Sequence, residues 1–290
     1  MTSIILGLPK GSLQEATFTM MHKAGFNLTV GRRSYVPTCD DPQLQCRLIR
    51  AQEISRYVEL GVLEAGITGY DWIYENNADV HEVCELLYAK QGLRPVRWVV
   101  AVPNDSPIRK VEDLRGKRIA TEAVGLTNRY LAERGIEADV EFSWGATEVK
   151  APELVDAIVE LTETGSSLRA NNLRILDTVL ESTTRLIANR KTWEDAGKRA
   201  KIEQLAMLLG GALAAETRVL LKLNVPATKL GEVSGLLPSL HAPTVSALND
   251  EGWHAVETVV EERVVRDLLP ALRHAGAQGI IELPINKILM

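Results

Sequence analysis

Two long extended runs, residues 97–103 (RWVVAVP) and 179–188 (VLESTTRLIA), bracket a self-contained stretch in which short helices and strands alternate. That layout asks for a body of two lobes whose chain crosses between them twice. Ligands of such bodies sit in the cleft between the lobes, near the carboxyl ends of strands. The opening of the chain agrees. Residues 3–8 read as a strand that breaks at Pro9, Lys10 and Gly11. Ser12, with Glu15 three residues on, then fits a capping box, and Gly25 ends the helix. A second helix over 52–59 stops at Gly61, and 65–68 (AGIT) reads as a short buried strand. This alternation argues for parallel sheets with crossover helices, an α/β class. Between the two long runs, 117–121 reads as a strand, 127–134 as a helix ended by Gly135, 148–161 as a helix with Pro152 near its start, and 162–167 as a loop.

The last third changes character. A long helix over 193–215 is followed by strand 217–223, helix 227–236, strands 244–248 and 253–261, helix 263–274 and strand 279–283. That order is βαββαβ, the ferredoxin-like arrangement. Residues 249–252 (NDEG) make the turn between its middle strands. Pro270, inside the second helix, predicts a kink or an early end there. The expected division is a first lobe over 1–96 and 184–215, a second over 97–183, and a ferredoxin-like domain over 216–290.

Composition narrows the function classes. The 33 Lys and Arg against 38 Asp and Glu leave a formal charge of −5 over 290 residues. A nucleic-acid protein needs a concentrated basic face, so that class is set aside. Cys39, Cys46 and Cys84 cannot all pair and none lies in a CxxC spacing, which fits a reducing compartment and gives no zinc signature. No basic segment precedes Ile4, so no signal peptide is read, and the longest uncharged apolar stretch, 205–215, is too short to span a bilayer. The expectation is a cytoplasmic protein without nucleic-acid or membrane partners.

Three segments carry candidate chemistry. In DAIVELTETGSSL (156–168), Glu163, Thr164, Gly165, Ser166 and Ser167 follow one another without a bulky apolar residue. Gly165 permits a positive φ, so successive N–H groups can converge on an anion, with hydroxyls beside them. A polar turn with a helix cap needs fewer of these residues but fits the same composition, and both readings stand. In LGLPKGSL (6–13), Lys10 sits at a strand's carboxyl end before a helix, suited to a phosphate, or is a solvated loop lysine. In GITGYD (66–71), Gly66 and Gly69 let the backbone approach a ligand, while Asp71 caps a helix or contacts a ribose or base. Arg32, Arg33 and Arg50 offer guanidinium forks for phosphates, with Arg50 equally able to pair with Glu53 on a helix. The five histidines show no metal spacing and no nucleophile partner, and there is neither a Walker loop nor a dinucleotide fingerprint.

At these motifs, and in the closing IIELPINKIL, the chain resembles the ATP phosphoribosyltransferases of histidine biosynthesis in their long form, in matching order over nearly its whole length. The resemblance implies a periplasmic-binding-protein-like (type II) clamshell, an ACT-like C-terminal domain that binds histidine as inhibitor, and homo-oligomers exchanging between dimer and hexamer. It implies transfer of the phosphoribosyl group of phosphoribosyl pyrophosphate (PRPP) to N1 of ATP, with pyrophosphate expelled. Glu160 and 163–167 would hold PRPP, Lys10 and Arg50 would face the pyrophosphate, and Arg32, Arg33, Gly69 and Asp71 would lie on the ATP side. Mg²⁺ would be held mainly by the pyrophosphate, since no protein carboxylate cluster of octahedral spacing is readable. Thr244, within HAPTVS (241–246), is the candidate contact for histidine. The competing expectation is a clamshell without catalysis, a small-anion binder or a regulatory subunit.

Overall fold

The computed structural model describes residues 3–89, 92–238 and 242–289. Residues 1–22 with 26–206 form one compact unit, and 23–25 with 207–290 a second.

The first unit holds two five-stranded sheets. Its first lobe runs β1 (Ile4–Lys10), α1 (Gln14–Ala24), β2 (Leu28–Thr29), β3 (Thr38–Cys39), β4 (Leu44–Arg50), α2 (Ala51–Glu59), β5 (Ala65–Gly69), α3 (Tyr70–Glu75) and β6 (His81–Leu86). The chain then enters the second lobe through β7 (Val96–Pro103), followed by β8 (Arg118–Thr121), α4 (Val124–Ala132), β9 (Asp139–Phe142), β10 (Ala157–Thr162), α5 (Ser166–Ala170) and β11 (Leu173–Ser182). It returns through Thr183 alone to β12 (Thr184–Ala188), α6 (Arg190–Glu194) and α7 (Ala196–Ala215). The first sheet is ordered β4-β1-β5-β12-β6 and the second β11-β7-β10-β8-β9. Strands β1, β4 and β5 run parallel, as do β8, β9 and β10, so each lobe lines up the carboxyl ends of three strands. The architecture is the two-lobed clamshell with α/β layers.

One expected helix is absent. Residues 148–161 give only a 3-10 turn at Thr147–Val149 and then β10, whose Ala157, Ile158 and Val159 are fully buried between β7 and β8. A short apolar run covered on both faces belongs to a central strand, whatever helical period its flanks imitate. The helix expected over 193–215 is divided at Asp195, whose carboxylate accepts from the N–H groups of Gly197 and Lys198 and starts α7 anew. At the N-terminus α1 begins at Gln14, whose N–H bonds the Gly11 carbonyl at 3.1 Å, so Ser12 lies in the turn before the helix.

The second unit continues α7 into β13 (Arg218–Pro226), α8 (Leu230–Leu236), β14 (Thr244–Ala247), β15 (Trp253–Glu261), α9 (Glu262–His274) and β16 (Gln278–Pro284), with sheet order β14-β15-β13-β16. This is the ferredoxin-like arrangement. Alternation along β13 buries Val219, Leu221, Leu223 and Val225 against the helices. Helix α9 runs through Pro270 for 13 residues without ending. Val265 and Leu272 are buried and Leu268 and Leu269 pack beside them, so a continuous apolar stripe holds the helix across the lost N–H, while Pro270 faces out. Among the described residues no helix is long and apolar enough to cross a membrane.

Candidate active site

Because β1 and β4 pair in parallel register, Lys10 stands opposite Arg50 at their carboxyl ends. Both side chains line a cavity of 330 Å³ between the two sheets of the first unit. Lys10 Nζ lies 3.6 Å over the centroid of the Tyr35 ring, and the lysine's hydrogen bond and charge draw the Tyr35 hydroxyl below its usual pKa. Arg50 has no ion pair with Glu53 among the described residues. Its Nη1 lies instead where a Cβ on Gly11 would approach to 3.4 Å.

The facing wall is the carboxyl end of β10, contributed by Leu161, Thr162 and Glu163. The chain then bends at Gly165 with φ 73°, and α5 starts at the next residue. The loop is internally tied. Gly165 N–H donates to Thr162 Oγ1 at 2.8 Å, Thr164 Oγ1 bonds Ser166 Oγ at 3.0 Å, and Arg169 Nη1 donates to the Thr164 carbonyl at 3.0 Å. Ser167 Oγ donates to Glu148. Thr164, Ser166 and Ser167 stand exposed just beyond Glu163 and off the cavity wall. Glu160 is off that wall too. Burial pushes its carboxyl pKa up, a hydrogen bond with Thr147 opposes this, and the charges of Glu148 and Glu122 add to it.

The GITGYD segment works differently from the expectation. A Cβ on Gly66 would meet Ile54 Cγ2 at 2.4 Å, so that glycine admits α2, not a ligand. Gly69 lies on the cavity wall, but a Cβ there would fall 2.0 Å from Asp71 Oδ1. Asp71 does not cap α3, whose N-cap is Gly69 without a side-chain bond. Its carboxylate accepts from Trp98 Nε1 at 2.7 Å and from Ser182 Oγ at 2.9 Å, and burial raises its pKa against those bonds. Arg32 and Arg33 are exposed on the turn between β2 and β3, away from the wall, although Tyr35 from the same loop reaches Lys10. In the second unit Thr244 is exposed on β14 opposite Glu257, and His241 lies outside the described residues.

Several wall residues escaped the sequence reading. Gln52 Nε2 donates to Glu122 Oε1 at 2.9 Å, joining α2 of the first lobe to the end of β8 in the second, and both line the cavity with Arg94 and Ser12. Glu122 was findable, since it directly follows a parallel strand's carboxyl end. Gln52 and Arg94 carry no spacing signal. Among the described residues no group of three or more His, Cys, Asp or Glu is placed to hold a metal ion. The site therefore sets Lys10, Arg50 and Arg94 of one lobe against the carboxyl end of β10 and the carboxylates of Glu122 and Glu163 of the other, with the hydroxyl-rich bend just beyond the wall. That layout suits a phosphorylated sugar with a second anionic group.

Comparison with known proteins identifies the family. The family model described as HisG: ATP phosphoribosyltransferase matches residues 50–211, and the model described as HisG, C-terminal domain matches 215–287. ATP phosphoribosyltransferases of Thermodesulfovibrio yellowstonii and Desulforudis audaxviator are each 60% identical over 284 residues, 98% of this chain, and are themselves covered to 97% and 98%. That of Chlorobium luteolum is 56% identical, over 98% of this chain and 97% of its own. The solved ATP phosphoribosyl transferase (HisG:HisZ) complex from Thermotoga maritima has a chain that matches 71% of this one over 98% of its own length, with 26% identity and a TM-score of 0.61. With both family models matched in order and full-length relatives above half identity, the chain belongs to the ATP phosphoribosyltransferase family, in the long form that carries a C-terminal HisG domain.

Proposed function

We propose that this chain transfers the phosphoribosyl group of PRPP to N1 of the adenine of ATP, the opening step of histidine biosynthesis, in the cavity between its two lobes. The observation that carries the reading is the meeting of Lys10 and Arg50 with Thr162 and Glu163, the entry to the Gly165 bend, across one cavity. The C1–oxygen bond to pyrophosphate breaks as the N1–C1 bond forms; the pyrophosphate leaves with the electron pair, and N1 supplies its own lone pair. The transition state resembles an oxocarbenium ion. The protein therefore needs no nucleophile of its own. It needs cations where charge collects on the leaving group and a fixed seat for the sugar phosphate.

Lys10 and Arg50 would take the pyrophosphate. The 5′-phosphate would sit at 163–167, where Gly165 turns the main chain and Thr164, Ser166 and Ser167 are exposed, their hydroxyls turning from Ser166 and Glu148 to the phosphate. Glu160 would serve the ribose from behind the wall, and ATP would enter past Arg32, Arg33 and Gly69. The described residues do not offer a protein cage for Mg²⁺. The ion would come as the counter-ion of the pyrophosphate, screening the two polyanions.

The second unit would be the regulatory one. Histidine would bind near Thr244 with a coupling of about 1–3 kcal/mol against substrate, in a homo-oligomer of dimers and hexamers. Absorbance of the adduct formed from ATP, PRPP and Mg²⁺ with pyrophosphatase present tests the catalytic reading. Clean protein without signal would turn the assignment to an anion-binding or regulatory clamshell.

A further inference from the structure

Helix α3 is only six residues long and follows β5 of the first lobe; Tyr70 and Ile73 pack in that lobe's core, whereas Trp72, Tyr74 and Glu75 reach into the second. Trp72 belongs to the second lobe's core, its ring edge-on to Trp98 with centroids 5.7 Å apart. The Glu75 carboxylate accepts from the N–H groups of Gly125 and Leu126 in the first turn of α4, at 2.9 and 2.6 Å. The Arg129 guanidinium bonds the Tyr74 carbonyl and lies 4.2 Å over that residue's ring. At the cavity end of the same helix, Asp71 is 3% exposed. One oxygen accepts from Trp98 of β7 and the other from Ser182, the last residue of β11 before the chain returns to the first lobe. The Asp71 N–H closes the ring onto Ser182 Oγ at 3.0 Å. Both carboxylate oxygens are thus engaged by the second lobe, while the backbone of Asp71 lies just past the end of β5, with Tyr70 between, and β5 is the neighbour of the strand that ends in Lys10.

We infer that Asp71 is a positioning residue for the transfer reaction: through Trp98 and Ser182 it fixes how far the Lys10–Arg50 face stands from Glu163 and its loop. The inference rests on the phosphoribosyl-transfer reading of that cavity. Two polyanions drawn into one cleft repel each other and press the lobes apart. Charge-assisted bonds to a buried carboxylate resist that load, and the reacting atoms tolerate little drift.

The experiment measures kcat, KM for each substrate and PRPP binding without turnover for the full-length Asp71→Ala, Trp98→Phe, their double variant and Asp71→Asn. Each of the first two should lower kcat about a hundredfold with PRPP affinity held within about threefold, as a misplaced but intact site would. The double variant should be no worse than the poorer single one, because both remove one interaction. Asp71→Asn should recover to within about tenfold, since its amide oxygen accepts from Trp98 and its NH₂ donates to Ser182. Additive losses, an Asn variant as poor as Ala, or a raised KM for ATP at constant kcat would overturn the inference; the last would make Asp71 a direct ATP contact. If Asp71→Ala fails to melt cooperatively, Trp98→Phe and Ser182→Ala decide, each removing one donor and leaving the carboxylate. Absent turnover in the unaltered protein refutes the reaction itself, whereas normal turnover in every variant refutes only the positioning role.

Discussion

The two lobes of the first unit are built alike, yet they present different chemistry to the cavity between them. Each aligns the carboxyl ends of three parallel strands. The first lobe ends two of these in long cationic side chains, Lys10 and Arg50; the second ends β10 in a main-chain bend at Gly165. The difference matches what each half of a phosphoribosyl donor does. A departing pyrophosphate gains charge and moves, and flexible cations can follow it. A 5′-phosphate changes neither charge nor place, and a rigid backbone seat holds it without losing side-chain entropy.

That comparison breaks most visibly at the cations. Arg50→Ala, and separately Lys10→Ala, should cut kcat by about 10²–10³ while PRPP affinity falls much less, because they serve charge that develops only during reaction. Steady-state kinetics beside equilibrium PRPP binding checks the split; a pure KM effect would dissolve the contrast between the lobes. Gly165→Val should do the reverse, raising the dissociation constant for PRPP by about thirtyfold or more. Its φ of 73° and the approach of Arg169 Nη1 to 2.9 Å leave a Cβ strained and crowded, with a local cost of about 1–2 kcal/mol. Calorimetry with PRPP would show it, and unchanged binding would remove the loop from the site.

Glu160→Gln sharpens the picture by separating stability from activity. Burial raises the folded-state pKa of Glu160, so folding holds its proton more tightly than the unfolded chain does. Stability is then lost as pH rises from the unfolded value, about 4.3, through the raised one. The variant should melt about 2 °C higher at neutral pH, lose that advantage below the unfolded value, and turn over several-fold more slowly. A melting curve equally shifted at every pH would deny the buried charge. The smallest effect belongs to the second unit. Thr244→Val should weaken histidine inhibition by about threefold to tenfold and leave turnover without histidine intact, read as the shift of an inhibition curve.

Much of the fold was legible because it rests on local signals. The βαββαβ order of the second unit follows from alternation and turn residues, and the positive φ of Gly165 from the glycine itself. The two crossings between the lobes' sheets fall where extended runs meet at Thr183 and before β7. The 148–161 segment was illegible for the opposite reason. Whether AIVEL becomes strand or helix depends on β7 and β8 lying on either side of it, and neither is near in sequence. Pro270 likewise sits in an unbroken helix because of an apolar stripe packed on the sheet of its own unit.

The candidate site divides along the same line. Motif chemistry put Lys10, Arg50 and Glu163 forward, and each is at the carboxyl end of its own strand or directly after it, a position set by local chain geometry. Gln52 meeting Glu122, Tyr35 lying under Lys10 and Asp71 turning from cap to interlobe tie are long-range events between groups up to 111 residues apart. The sequence by itself determined which groups can bind anions and where the backbone can turn, since those are properties of single residues and their immediate neighbours. Only the tertiary structure decided which of them share a wall and which are used up in holding the lobes together, because that depends on the register and packing of strands far apart in the chain.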